Sequence, residues 1–211
     1  VCVNHNAVHH PSFAPLLKRV RAGEIGQVEH VQVTLSVPLR QLDAHDYSHW
    51  MFQTPRNIVF EQGPHPFAQI TELVGAVRSC ETNVLSTREL NPGQVFHDRW
   101  MISGVADGGC TVECYFAFGM GFTRSTIQVL GSDGSLQADL FHNLLFAETK
   151  SPWLDFWNSF LAGWKSGGAL RRDALRGLKG YLTQTLGIAG RSDAFYAGMR
   201  DSIRAFHAAL R

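Results

Sequence analysis

Between Val77 and Leu140 the chain carries successive runs of alternating apolar and polar residues, joined by turns too short to hold a helix. The runs are 77–90, 95–105, 110–118, 126–130 and 136–140. Strands joined this way pair antiparallel, because a parallel pair needs a crossover of a dozen residues or more. In the third run Cys110, Val112, Cys114, Phe116 and Phe118 share one face. VLGSDGSLQ reads as a hairpin, because Asp133-Gly134 tolerates positive φ between two alternating runs. Beyond residue 150 the period changes to that of a helix. Trp153, Phe156, Trp157, Phe160, Leu161 and Trp164 recur at three- and four-residue steps and read as core, with interface cover as the other use. Gly167-Gly168 is predicted to break that helix, with two more at 171–186 and 193–211. Strands grouped together and helices grouped together predict an α+β fold. The expected architecture is an open, mostly antiparallel β-sheet with helices packed on one face, plus a C-terminal helical segment. It forms one domain over 1–211, of which 151–211 is the helical extension.

The chain before this block sets up the sheet. Val1 to Asn6 reads as a short strand. Pro11 opens a helix to about Ala22, with Phe13, Leu16, Leu17 and Val20 on one face and Gly23 and Gly26 ending it. From His30 to Val37 alternation is strict, with Val31, Val33, Leu35 and Val37 facing one way. Residues 41–57 have no clear period and carry Asp43, His45, Asp46, His49, Trp50 and Pro55, the composition of a functional loop.

Composition narrows the partners. With 45% apolar and 18% charged residues the chain has the makings of a full core. A net charge of +1 gives no general attraction to nucleic acid or to an anionic membrane, so neither is expected as a partner. No apolar run approaches the ~20 residues that span a bilayer. Four cysteines do not make a disulfide framework and are expected to be reduced thiols in a cytoplasmic protein. The chain opens in strand-like alternation and stops inside a helical pattern, as a fragment of a longer polypeptide would.

The segment FEQGPHPFAQITELVG, Phe60 to Gly75, carries the sharpest chemistry. On a helix Glu61 and His65 are neighbours. A carboxylate beside an imidazole favours the charged ring and fixes its orientation, which makes a proton donor and acceptor near neutral pH. Pro64 and Pro66 remove backbone donors and kink or delay the helix, so the pair is predicted at an irregular helix mouth open to substrate. The plain alternative is a surface Glu–His pair. His45 and His49 have helical ligand spacing, but without a third ligand no metal is assigned. Trp50 suits stacking on a sugar ring or anchoring its loop. Arg171, Arg172, Arg176 and Lys179 read as a solvated basic face.

VNHNAVHHPSFAPLLKRVRAGEIGQVEHVQV resembles the segment after the nucleotide-binding half of the Gfo/Idh/MocA oxidoreductases, with Gly23, Ile25, Gly26 and Val28 as its turn. EQGPHPFAQITELVG resembles that family's acid-x-x-x-His motif and helix, and VLGSDGSLQADL its late hairpin. The resemblance covers most of residues 1–150 in the right order. It implies the substrate-binding and catalytic half of an NAD(P)-dependent oxidoreductase acting on a sugar, polyol or related hydroxy compound. On that resemblance His65 exchanges the proton of the reacting hydroxyl and Glu61, where the family more often has Asp, orients it. His5, Asn6 and His9 fall where members place substrate contacts, while an arginine common before the proline is Val8 here. The resemblance further implies a preceding Rossmann domain holding NAD or NADP and a Glu-Lys-Pro lysine, and a homodimer or homotetramer assembled through the sheet face.

This chain has neither Glu-Lys-Pro nor a Gly-x-Gly-x-x-Gly after a strand; Gly119-Met120-Gly121 leads into another strand region. No cofactor is therefore expected on these residues alone, and no turnover. Two other functions stand beside the first: a non-catalytic oligomerisation or ligand-sensing module, and a metal-dependent hydrolase or isomerase built from His45, His49, His65 and Glu61.

Overall fold

Alternation and helical period translate into seven strands and six α-helices in the computed structural model, which describes residues 5–150, 155–188, 190 and 193–210. The helices are α1 (Phe13–Arg21), α2 (Arg40–Asp43), α3 (Asn57–Gln62), α4 (Pro64–Val74), α5 (Asp155–Thr185) and α6 (Ala194–Ala209). The strands are β1 (Val28–Val37), β2 (Val77–Asn91), β3 (Gln94–Ala106), β4 (Thr111–Phe118), β5 (Arg124–Gly131), β6 (Gly134–Asp139) and β7 (Leu144–Thr149). They form one open sheet in the order β2-β3-β4-β1-β5-β6-β7. The fold is α+β, as the grouping of runs predicts. The chain divides into two compact units, residues 1–28 with 128–211, and residues 29–127.

In the second unit β2, β3 and β4 make the expected antiparallel meander. The next pairing departs from it. β1 lies parallel to β4, with Val31 opposite Val112 and Leu35 opposite Phe116. The two are far apart in sequence, so the connection has the length a parallel crossover needs. In β1 Val31 and Val33 are buried, but further along Ser36 is buried while Leu35 and Val37 are half-covered. Its hydroxyl donates to the Phe122 carbonyl at 3.1 Å, which satisfies the buried polar atom.

The helix pair α3–α4 lies in this unit and is held by a missing side chain. Pro64 and Pro66 supply no N–H, so the ladder is interrupted, yet Gly63 keeps right-handed helical angles (φ −72°, ψ −31°). Its N–H reaches the Val59 carbonyl at 2.7 Å, and the Phe67 N–H reaches back to its own carbonyl at 3.0 Å. A Cβ at Gly63 would lie 2.5 Å from the Val59 oxygen and 2.6 Å from the Phe67 ring. That ring meets Phe116 of β4 edge-on, centroids 5.9 Å apart, and Pro66, Gln69 and Ile70 are buried on the same helix. Gly75 ends α4 at φ 76°, its N–H on the Thr71 carbonyl.

In the first unit Phe13, Leu16, Leu17 and Val20 bury the predicted face of α1. The predicted strand Val1 to Asn6 lies mostly outside the described residues, and Asn6 opens a 3₁₀ turn, Asn6–His9. The turn after α1 is stitched to the late hairpin. Asp133 N–H donates to the Ile25 carbonyl at 2.9 Å and Ser132 N–H to that of Gln27 at 3.0 Å. The hairpin predicted at VLGSDGSLQ joins β5 to β6, and its turn forms without a positive φ at Asp133 or Gly134. Close approach is what calls for glycine here: a Cβ at Gly134 would meet the Glu148 carbonyl at 2.3 Å, and one at Gly131 that of Ile25 at 2.2 Å. Glu148 belongs to β7, which the sequence reading did not anticipate, and which pairs antiparallel with β6.

The helical third differs most from expectation. Gly167-Gly168 does not break α5, which runs unbroken for 31 residues. Each glycine costs roughly 1 kcal/mol against alanine, and α5 runs through Gly167-Gly168 as it does through Gly163, Gly177 and Gly180. Its aromatic stripe is not core, for Phe156 and Trp164 are 74% and 70% exposed; Trp153 lies outside the described residues. Asp193 caps α6 by accepting the Tyr196 N–H at 2.9 Å. No helix among the described residues is long and apolar enough to cross a membrane.

Replacing Gly63 by alanine would normally favour a helix, but here the Cβ has no room. G63A is expected to lower stability by about 1–3 kcal/mol in urea unfolding, where an ordinary helical site would gain. A second test uses His10, whose Nδ1 lies 3.0 Å from the Ser12 hydroxyl. Burial lowers its pKa from 6.5 to about 4, opposed by a backbone hydrogen bond at Leu140. The neutral ring is the folded form. Its contribution is therefore complete above pH 6.5 and is lost as pH falls toward 4, roughly 3 kcal/mol in all. Unfolding at pH 7 and near pH 4 should show a smaller acid loss in H10Q than in the native chain.

Candidate functional site

Glu61 sits in the last turn of α3 and His65 in the first turn of α4. Because the backbone stays helical through Gly63, the two residues keep helical i,i+4 spacing across the interruption. His65 is exposed and Glu61 half-buried. The imidazole is therefore exposed in the first turn of α4.

The same helices flank a large groove. Its volume is about 690 Å³, and its walls include Val59, Phe60, Phe67 and Ile70. Its floor is the helix-side face of β2, β3 and β4, built row by row. Cys80 lies opposite Gly104, which lies opposite Val112; Thr82 lies opposite Ile102, which lies opposite Cys114. Burial, with Cys80 and Glu113 nearby, pushes the Cys114 thiol up to about 12, so it stays protonated and unreactive. Arg56 and His97 are the charged or titratable side chains in the lining other than the thiols. Glu61 and His65 are not among its lining residues.

Beyond the groove, β3 carries an acid on its buried face. Asp98 is 3% exposed and its Oδ2 accepts from Nε of Arg88 at 2.9 Å and from Nη2 of the same guanidinium. Burial pulls this carboxyl upward, but the Arg88 hydrogen bonds outweigh it and hold it below its ordinary value. The sequence reading did not single out this pair. Its signal was present: Phe96, Asp98, Trp100 and Ile102 share one strand face, and an acid among them needs a partner.

The loop between β1 and α3 is tied down by its own polar groups. His49 accepts the Met51 N–H and caps the 3₁₀ turn Trp50–Phe52, while Asp46 accepts from the Ser48 N–H and hydroxyl. His45 takes a positive φ of 54°, with Nδ1 3.2 Å from the Asp43 carbonyl. Met51 and Phe52 are the buried anchors, and Trp50 is left 39% exposed. Among the described residues no three His, Cys, Asp or Glu side chains gather to hold a metal ion, so His45, His49, His65 and Glu61 do not make a metal centre.

His5, Asn6 and His9 belong to the first unit. His5 precedes the 3₁₀ turn, Asn6 is buried at its start and His9 ends it half-covered. α6 packs on this turn through Gly198, where a Cβ would lie 3.0 Å from the Asn6 carbonyl.

The Gly119–Gly121 segment offers no dinucleotide cradle. It follows β4 but leads into β5 rather than into a helix, so no helix N-terminus faces a phosphate. Gly119 has φ 79° and packs against Leu42, whose Cδ1 would lie 2.5 Å from a Cβ there.

The fold has solved counterparts. Levoglucosan dehydrogenase, in a complex with NADH and L-sorbose, superposes with a TM-score of 0.61 at 18% identity, over 72% of this chain and 44% of that one. An oxidoreductase domain protein from Kribbella flavida gives 0.57 at 20%, over 70% and 42%. An oxidoreductase from Agrobacterium radiobacter, in a complex with NAD+, L-tartaric acid and magnesium, gives 0.57 at 13%, over 95% and 59%. The chain thus spans less than two thirds of the length of each. Among curated proteins none matches its sequence. The model of the GFO/IDH/MocA C-terminal domain matches residues 13–137, more than half of the chain. The chain belongs to the Gfo/Idh/MocA family, as a C-terminal domain of that family's oxidoreductases.

Proposed function

We propose that this chain is the substrate-binding, proton-transferring half of an NAD(P)-dependent oxidoreductase acting on a sugar, polyol or related hydroxy compound. The observation that carries the proposal is the helical continuity from Glu61 through Gly63 to an exposed His65, in a member of this family. His65 accepts the proton of the hydroxyl being oxidised, or returns it in the reverse direction, and Glu61 orients the ring. His5, Asn6, His9 and Trp50 are assigned to substrate contacts. The family match, residues 13–137, takes in parts of both units, and 1–211 is read as one substrate domain.

A dinucleotide, when bound, supplies the hydride chemistry. The Gly119–Gly121 segment does not fit it, and its site is assigned to a Rossmann domain elsewhere in the full-length protein. The NADH and NAD+ complexes of the structural relatives support that assignment. Assembly is assigned to the sheet face away from α4, where Met101 of β3 and Glu113 and Tyr115 of β4 stay half-covered. Free thiols at Cys80, Cys110 and Cys114 suit a cytoplasmic setting.

Two measurements test this reading. In the full-length protein H65A should lower turnover about 10²–10⁴-fold, the usual contribution of a general acid–base, while dinucleotide affinity stays unchanged. Unaltered turnover removes His65 from the mechanism. Calorimetry of NAD and NADP against this chain alone should show no tight binding; micromolar affinity overturns the assignment of the cofactor site.

A further inference from the structure

α5 is a 31-residue helix exposed on nearly every side. Helices of globular proteins draw most of their stability from packing an apolar face, and α5 has such a face unpacked. Trp157, Leu161, Trp164, Gly168, Arg171, Leu175, Leu178 and Leu182 are spaced alternately by four and three residues, the seam of a coiled coil. Trp157, Trp164, Leu175 and Leu178 are each at least half exposed.

We infer that α5 pairs antiparallel with α5 of a second copy of this chain, about a two-fold axis near residues 169 and 170. The seam is complementary to its own reverse. An antiparallel pair forms the layers Trp157–Leu182, Leu161–Leu178, Trp164–Leu175 and Gly168–Arg171, and two-fold symmetry generates each one twice. Bulky indoles meet leucines, and the long arginine stem lies over a glycine. A parallel pair in register would instead oppose two Arg171 cations and leave a void between two Gly168 residues. On one flank Phe160 meets Tyr181 of the other copy. The opposite flank carries Lys165, Arg172 and Lys179, whose mutual repulsion salt screens. With aromatic side chains of about 150–250 Å² each, the exposed part of the seam is comparable to the area a standard interface buries on each partner. A homotetramer of dihedral symmetry needs two self-complementary faces.

The full chain is tested by light scattering at micromolar concentration. Combining Trp164→Glu with Leu175→Glu should halve the particle mass and leave the circular dichroism of the folded chain in place. A native particle that is already a monomer, or a mass unchanged by the two glutamates, overturns the inference. Cross-linking fixes the direction without relying on those variants. Trp157 and Leu182 lie ~37 Å apart along one helix, too far for a bond within one chain. Under mild oxidation the double variant Trp157→Cys with Leu182→Cys should give a covalent dimer, and neither single variant should. A dimer formed by Trp157→Cys alone as readily as by the pair means a parallel arrangement and overturns the inference.

Discussion

The candidate site depends on the absence of a side chain at Gly63. Two prolines within three residues would ordinarily end a helix, and each removes a backbone donor. Here the chain keeps its helical course because Gly63 lets the Val59 carbonyl and the Phe67 ring close in from either side. Phe67 then seats on Phe116 of β4 and fixes α4 to the sheet. Glu61 comes before this junction and His65 after it, so their spacing is set by a close-packed backbone rather than by their own attraction. An exposed ion pair alone would contribute well under 1 kcal/mol and could not hold such geometry.

This division of labour suits a proton-transfer group. The apolar residues of the helix pair turn to the sheet and the groove, while His65 stays in contact with solvent. The groove floor mixes apolar residues with Thr82 and the buried Cys114 thiol, which is held protonated, and His97 and Arg56 are its titratable or charged lining groups besides the thiols. Elsewhere in this unit the Asp98 carboxylate is paired with Arg88 on the buried face of β3.

Where local rules govern, the fold was legible in the sequence. The buried face of α1, the strands 77–118 and the end of α4 at Gly75 follow from periodicity and turn chemistry. The misses share one cause, which is that the deciding partner is distant. Alternation marks β1 and β4 as strands but cannot say that they lie side by side and parallel. Gly134 reads as a turn residue that tolerates positive φ, whereas what calls for glycine there is room beside Glu148 of β7. The aromatic residues of α5 have the period of a core helix, and nothing local distinguishes a face covered by its own domain from one left for another surface. At the site, the Glu61–His65 spacing was readable because it is local to one helix pair. The groove was not, since its floor is assembled from three strands in register. Gly167-Gly168 misled for a different reason: glycine's helix penalty is real but small against a helix of 31 residues.

The most direct measurement is a crystal structure of the full-length protein with its dinucleotide and a polyol bound. The account predicts the reacting hydroxyl within hydrogen-bond reach of the His65 imidazole, about 2.6–3.2 Å, with the Glu61 carboxylate against the far side of the ring. A hydroxyl held by other groups, with His65 turned to bulk solvent beyond the reach of even one bridging water, would contradict it.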